Sequence, residues 1–328
     1  MNNNLPTILI TGANGFLGFH VMKAFEQSKQ TQYNITSPNS ETLNLLDYKS
    51  LCKYIKQSNT TTILHMAGVC AGIKGNANNP GRFLYTNTQM ALNVYEGART
   101  CGVKRVYGLG TVCMYPKFCP VPFKEDYILG EFPKSFQTVG NYPEETNAPY
   151  SYGKRILMMM GKTYREQYDI KGAFLIPVNM YGEEDHFDLI NSHVVPALIR
   201  KFEDAKTNNI KEVEVWGTEN SGTSREFLYS GDCAEIIVKT VLSDFDNPLP
   251  INIGTGQEIK IVDLVKLIKE LVGYQGNVLF NGKLDGQPRR CLDISRAKNL
   301  LNWSASTSLR DGLIKTIDWY RANKTNII

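Results

Sequence analysis

Three glycines at G-x-x-G-x-x-G spacing, Gly12, Gly15 and Gly18, stand between the first apolar run of the chain, Ile8-Leu9-Ile10-Thr11, and its first helical pattern. A strand that turns straight into a helix leaves unpaired N–H groups and the positive end of the helix dipole at one spot, which suits a pyrophosphate. Gly12 permits the tight turn, Gly15 lets backbone approach the phosphates, and Gly18 lets helix and strand pack closely. A glycine triplet alone could equally open an ordinary helix. Its place after the very first strand points to dinucleotide binding through Gly12, Asn14, Gly15, Phe16, Leu17 and Gly18.

The rest of the first half alternates β-rich runs with helical patterns: Thr7–Thr11, a helix from Leu17, Tyr33–Thr36, a helix from Tyr48, Thr62–Met66, a helix from Arg82, and Arg105–Leu109. A longer helical pattern starts near Tyr150, and a further apolar run follows at Ala173–Val178. That order is the mark of right-handed βαβ units, so the expected fold is α/β, a doubly wound parallel (Rossmann) sheet. At 328 residues the chain exceeds what one hydrophobic core usually sustains. Beyond Asn179 the connections lengthen and turn polar, as in Glu183-Glu184-Asp185-His186-Phe187-Asp188, with helices near Ser192–Phe202 and Ser308–Ala322. A second, smaller mixed α/β substrate domain is expected there. The division is read as 1–178 for the dinucleotide-binding domain and 179–328 mainly for the substrate domain, with strand-like segments near 226–256 (Glu226–Tyr229 and Ile251–Ile253) returning to the first sheet.

A net charge of +4 with basic residues spread along the chain gives no nucleic-acid patch. No apolar stretch approaches membrane-spanning length and the N-terminus lacks a charged leader pattern, so a cytoplasmic protein with no membrane partner is expected. Seven scattered cysteines without a C-x-x-C pair argue against a disulfide framework and against structural zinc. His20, His65, His186 and His193 show no two-ligand helical spacing, and no metal site is expected.

Cofactor choice is normally set at the end of the second strand, by an acid for a ribose hydroxyl or an arginine for a 2′-phosphate. Here Asn34-Ile35-Thr36-Ser37-Pro38-Asn39-Ser40-Glu41 has neither an acid at the strand end nor any arginine, leaving Ser37, Asn39 and Ser40 as the candidate contacts. Downstream, Tyr150-Ser151-Tyr152-Gly153-Lys154 contains Y-x-x-x-K, which sets both side chains on one helical face, one turn apart. A protonated Lys154 there is expected to pull the Tyr150 phenol toward neutrality, so that it can exchange a proton with a sugar carbonyl or hydroxyl. With 17 tyrosines in the chain this spacing arises about once by chance. The added weight comes from Thr111, in Gly110-Thr111-Val112-Cys113-Met114-Tyr115, whose hydroxyl would stand at the carboxyl edge of the sheet. A plain turn or cap is the competing reading of Thr111.

At this point the chain resembles, nearly end to end, the GDP-L-fucose synthase family of GDP-4-keto-6-deoxymannose 3,5-epimerase/4-reductases within the extended short-chain dehydrogenase/reductases. The matching segments are Leu43-Asn44-Leu45-Leu46-Asp47, Cys113-Met114-Tyr115-Pro116-Lys117, Pro149-Tyr150, Asn191-Ser192-His193-Val194-Val195-Pro196-Ala197-Leu198, Val215-Trp216-Gly217, Arg225-Glu226-Phe227-Leu228, Ile253-Gly254-Thr255-Gly256 and Asp285-Gly286-Gln287-Pro288-Arg289. The resemblance implies a catalytic triad of Thr111, Tyr150 and Lys154, with Cys113 and His193 as the epimerisation pair. A 4-keto group acidifies the hydrogens on C3 and C5, and inversion needs one group to remove a proton and another to return one from the opposite face. From the residues alone, Cys113 reads as a small filler and His193 as a helix-start hydrogen bonder. The resemblance also implies a GDP-sugar substrate held by Lys201, Trp216, Arg225 and Arg289, the arginines gripping the diphosphate. A homodimer built on the helix that begins near Tyr150 is implied as well.

Four departures from the family pattern stand out. Thr111 replaces the usual serine, Lys201 replaces an arginine, and Asn14 with Ser37–Ser40 stands where the family keeps arginines for the 2′-phosphate. NADP(H) is favoured and NAD(H) stays open. The segment Glu131–Thr146 is longer than the family pattern, which bears on the identity of the sugar. Two alternatives remain: a C4-reductase without epimerase activity on a related GDP-4-keto-hexose or heptose, and a non-catalytic dinucleotide-sensing regulator.

Overall fold

The most apolar runs of the first half become buried strands because they have helices on both sides. The computed structural model describes residues 5–70, 73–133, 142–189, 192–219, 222–282 and 288–327. The first lobe runs β1 (Thr7–Thr11), α1 (Phe16–Ser28), β2 (Asn34–Thr36), α2 (Tyr48–Gln57), β3 (Thr60–His65), α3 (Ile73–Asn78), α4 (Pro80–Cys101), β4 (Arg105–Leu109), α5 (Ala148–Tyr168) and β5 (Phe174–Pro177). The chain continues into β6 (Asn179–Tyr181), α6 (Val194–Thr207), β7 (Glu212–Val215), β8 (Ser224–Tyr229), α7 (Ser230–Leu242) and β9 (Ile251–Ile253). The last elements are β10 (Glu258–Lys260), α8 (Ile261–Val272), β11 (Asn277–Phe280), β12 (Arg289–Arg290), α9 (Ser295–Leu301) and α10 (Leu309–Ile327).

Six parallel strands form the main sheet in the order β2-β1-β3-β4-β5-β9. The chain steps outward from β1 one way to β2 and from β3 the other way through β4 and β5. Right-handed crossovers then put helices on opposite faces. Accordingly α2, α4 and α5 pack side by side, and α1 packs with α7. The reversal between β1 and β3 creates a crevice at their carboxyl ends, where ligands of such sheets bind. His65 closes that end: its Nδ1 bonds Thr11 Oγ1 at 2.8 Å, and burial, followed by the charge of Lys154, pushes its pKa to about 3.

α4 and α5 approach closely because Gly153 has no side chain; a Cβ there would lie 2.7 Å from Asn87 Cβ. Pro149 in the first turn of α5 suits a position whose N–H has no helical partner, and Asp169 in the left-handed region ends the helix.

The second lobe has its own core, around Tyr181, Phe187, Phe202, Ile268 and Leu313. Its strands are short: β10-β8-β12 with β6 alongside β8, and a separate pair β11-β7. Of the two segments expected to rejoin the first sheet, Ile251–Ile253 does so as the edge strand β9. Glu226–Tyr229 does not: it lies in β8, at the heart of the small sheet. The helix that follows it, α7, nevertheless packs in the first core through Ile236 and Ile237, so the chain crosses between lobes several times.

Candidate active site

The glycine turn is built as its spacing suggests. Gly12 has φ +80°, and a Cβ on it would lie 2.6 Å from Ala67 N; one on Gly18 would lie 2.3 Å from the Gly12 carbonyl oxygen. Either substitution collides with backbone. Gly15 differs, since a Cβ there meets only Gly12 O at an ordinary 3.5 Å. Its smallness serves whatever approaches from outside. Gly15 caps α1 without any side-chain cap bond, and no acid occupies the first turn, so the helix N-terminus is left for an anion. A cavity of about 770 Å3 opens beside Asn14, Gly15 and Phe16 and reaches Asp185, His186 and Trp319. The loop therefore fits a dinucleotide pyrophosphate. Ser37, Asn39 and Ser40 follow β2 at the same edge, but the Asn39 Oδ1 accepts the Thr42 N–H at 2.8 Å and is committed to a turn.

Thr111 follows β4 and does two things. It starts a 3₁₀ turn at Val112–Met114, its Oγ1 accepting the Cys113 N–H at 3.3 Å, and its hydroxyl also bonds Tyr150. Cap and catalytic positions thus coincide. Tyr150 and Lys154 lie one turn apart on α5, Lys154 buried with its pKa pushed down to about 8 by burial. A Cβ on Gly68 would be 3.2 Å from both Lys154 Nζ and Asn87 Oδ1. Asn87 in turn clamps the loop after β3, accepting the Val69 N–H at 3.0 Å and donating to Val69 O at 2.9 Å. Arg155, the next residue of α5, donates to the Met114 carbonyl at 2.9 and 2.6 Å, fixing the Cys113 turn to the helix that carries Tyr150.

One expectation is corrected. The Tyr150 phenol is held well above the ordinary tyrosine range, first by burial and then by the neighbouring Cys70 and Cys113 sulfurs; only the Thr111 hydrogen bond works the other way. Burial outweighs the aid that charge was expected to give. The phenol keeps its proton at neutral pH, which is the state a proton donor needs.

Cys113 faces this group and is only half-buried, with Arg290 Nη1 donating toward its Sγ at 3.8 Å. Cys70, on the loop after β3, is exposed at its edge and feels the charges of Lys154 and Asp185 and the Cys113 sulfur; desolvation pushes its thiol up. Asp185 leads to His193, whose Nδ1 lies 3.9 Å from Asp185 Oδ1. His193 precedes α6 and makes no side-chain cap bond, so it is not a helix-start hydrogen bonder. Desolvation opposes its charge even though about half of the side chain is exposed, but Asp185 more than offsets that and the imidazole pKa is raised.

On the substrate side, parity decides. Arg225 on β8 and Arg290 on β12 are in register and share a face. Burial and then the Arg290 charge lower Arg225 to about 10, a crowding of cations that a diphosphate would relieve. Arg289 points the opposite way and pairs with Glu258 on the exposed face. Arg290, and not the expected Arg289, is thus the residue that stands beside Arg225. Lys201 and Trp216 form a pair of their own, the ammonium 5.6 Å from the ring centroid and bonded to Glu214 O at 2.9 Å. Of the segments singled out in sequence, 134–141, Asn191 and Asp285–Gln287 lie outside the described residues.

Sequence reasoning missed Asn87, Arg155, Asp185 and Arg290. Asp185 was visible only as one of several acids in a polar loop, and Arg290 only as the second of an Arg-Arg doublet. Among the described residues no cluster of His, Cys, Asp and Glu could hold a metal ion, and no helix is long and apolar enough to cross a membrane.

A strand-end hydroxyl bonded to a phenol, with a lysine one helical turn on, above a sheet whose first turn can seat a pyrophosphate, is the arrangement of the extended short-chain dehydrogenase/reductases, enzymes that move hydride to or from a nicotinamide. The profile of the NAD dependent epimerase/dehydratase family matches residues 8–254, and the chain belongs to that family. It is 34% identical over 322 residues to GDP-L-colitose synthase of Yersinia pseudotuberculosis, covering 97% of this chain and 99% of that one. It is also 34% identical to GDP-L-fucose synthase 1 of Arabidopsis thaliana, covering 99% and 96% of the two chains. Among solved structures, a GDP-mannoheptose C4 reductase from Campylobacter jejuni with NADP bound superposes with a TM-score of 0.83 at 25% identity, covering 97% of this chain and 98% of that one.

Proposed function

We propose that this chain reduces C4 of a GDP-4-keto-6-deoxy-sugar with NADPH, after epimerising C3 and C5. The observation that carries the reading is the chain of neighbours Tyr150, Cys113, Cys70, Asp185 and His193, which joins a reductase acid to two further groups able to move protons. NADPH supplies the hydride. Tyr150 gives its proton to the C4 oxygen, and the phenolate left behind is stabilised by the Thr111 hydroxyl and by the buried Lys154 ammonium. Cys113 removes the C3 or C5 proton and His193 returns one from the other face. Arg225 and Arg290 hold the diphosphate, with Lys201 and Trp216 further along. NADPH is preferred over NADH because no acid stands at the end of β2 itself, where Ser37 and Ser40 offer hydroxyls to a 2′-phosphate.

A second reading, C4 reduction without epimerisation, has support from the name of the C. jejuni reductase. A non-catalytic sensor is disfavoured by the presence together of Thr111, the Tyr150 it bonds, and Lys154 one helical turn on. The homodimer is part of the proposal: α4 and α5 pack together and expose Leu84, Tyr85, Leu92, Met159 and Tyr168. So is a cytoplasmic location, which seven free cysteines support. Incubating the enzyme with GDP-4-keto-6-deoxymannose and NADPH in deuterated water, then analysing products by mass spectrometry and NMR, tests the whole. Reduction with deuterium at C3 and C5 is expected. Reduction with none leaves the second reading.

A further inference from the structure

Asp185 lies in a loop that is fixed from several directions. The carbonyl of Glu183 bonds His20 Nε2 of α1 at 2.8 Å, and both Glu183 carboxylate oxygens accept from Tyr229 OH at 2.8 Å. Arg200 of α6 donates to Phe187 O at 3.1 Å. The Phe187 ring is buried in the second core, 4.6 Å from the Tyr320 ring centroid. Between these anchors the Asp185 side chain is 1% exposed, whereas the His193 side chain beside it is 54% exposed. Asp185 Oδ1 accepts its neighbour's amide, His186 N–H, at 2.7 Å and faces His193 Nδ1 at 3.9 Å. Asp185 Oδ2 is buried and meets no hydrogen-bond partner among the described residues. A carboxylate in that position is costly unless something polar uses it.

We infer that Asp185 is a positioning residue for His193: it takes the Nδ1–H of the imidazole, turning Nε2 outward to the cleft, and holds the ring in its protonated form. This rests on the epimerase reading for its chemical purpose, since a ring that must hand a proton to carbon has to carry that proton at working pH. A rigid loop suits the task, because a carboxylate that moved with the substrate would not fix the tautomer. Asp185 is the charged group that acts on His193; Asp185 itself faces Cys70, and Cys70 faces Lys154 and Cys113. The raised imidazole pKa agrees with the geometry.

The test separates this coupling from the epimerase reading. In the ligand-free full chain, proton NMR titration follows the four histidine C2–H signals, with His193→Asn identifying the one of interest. In Asp185→Asn the His193 pKa is expected to fall by about one unit or more, and Asp185→Glu is expected to recover part of it. Deuterium incorporation into the ketone should fall on the order of 100-fold in Asp185→Asn, with the pH at half-maximal rate displaced downward, whereas turnover of an already epimerised ketone falls less than about tenfold. Unchanged signals of His20 and His65 report an intact fold. If His193 titrates at the same pH with and without the Asp185 carboxylate, the inference is overturned. If the pKa falls but the wild type incorporates no deuterium, the coupling stands and the epimerase reading is what fails.

Discussion

The proposed reducing and epimerising ends of the site are assembled differently. Thr111, Tyr150 and Lys154 stand on a strand end and a single long helix, packed on the first core and tied together by Arg155 and Asn87. Cys113, Asp185 and His193 come from a 3₁₀ turn, a loop and a helix start, and two of the three belong to the second lobe. A proton donor to oxygen needs one geometry, which a helix can hold alone. Two groups on opposite faces of a ring need two walls, and those must come from separate parts of the chain. The difference teaches that the reductase should tolerate changes in the second lobe that the epimerase does not.

The largest effect that sharpens this contrast is Tyr150→Phe, expected to lower the rate of reduction by about 10³-fold or more while NADPH affinity stays within a few-fold. Stopped-flow turnover with fluorescence titration checks it, and retention of most activity would remove Tyr150 from its role. Next, Cys113→Ser should reduce deuterium incorporation at C3 or C5 by about 10²–10³-fold, because a hydroxyl ionises far less readily than a thiol. Reduction of an already epimerised ketone should survive; if both rates fall together, the two ends are not separable.

Arg290→Met is expected to raise KM for the GDP-sugar by about 30-fold through loss of a charged grip on the diphosphate. Arg289→Met should change it by less than about twofold, since an exposed ion pair such as Arg289–Glu258 contributes little. The reverse ranking would overturn the assignment made from strand parity. The smallest effect concerns stability. Lys154→Met should end reduction yet stabilise the ligand-free protein at pH 7 by about 1–3 kcal/mol, read as a higher melting temperature. The sign follows from a folded pKa of about 8 against an ordinary 10.5. Below pH 8 the cost of the buried charge is complete. From pH 8 toward 10.5 the unfolded chain keeps a proton that the fold has shed, so wild-type stability rises and the variant's advantage shrinks. A constant difference across melts from pH 7 to 10 would show that Lys154 is not strained by burial.

Much of the reducing end was legible in advance because its signals are local. Arg105–Leu109 was read at its observed bounds and α5 within two residues of its start, since apolar runs and helical periodicity are short-range patterns. The direction of the Tyr150 shift was not legible. Spacing places Lys154 on the same face, but burial, which dominates, depends on what the fold packs around the phenol. Glu226–Tyr229 read as a strand and is one, yet its partners are β6, β10 and β12, none of them adjacent in sequence.

By itself the sequence determined the glycine turn, the parallel sheet and the Tyr150–Lys154 pair, because each depends on residues within about one helical turn or one strand of each other. Only the tertiary structure decided that Arg290 rather than Arg289 joins Arg225 beside Cys113. β12 has just two residues, too few for an alternating pattern to reveal its inner face, so register with β8 sets it. Only the tertiary structure, likewise, set Asp185 against His193. The two are eight residues apart, and they meet because α1 and β8 hold Glu183, just before Asp185, while α6 holds Phe187, just after it.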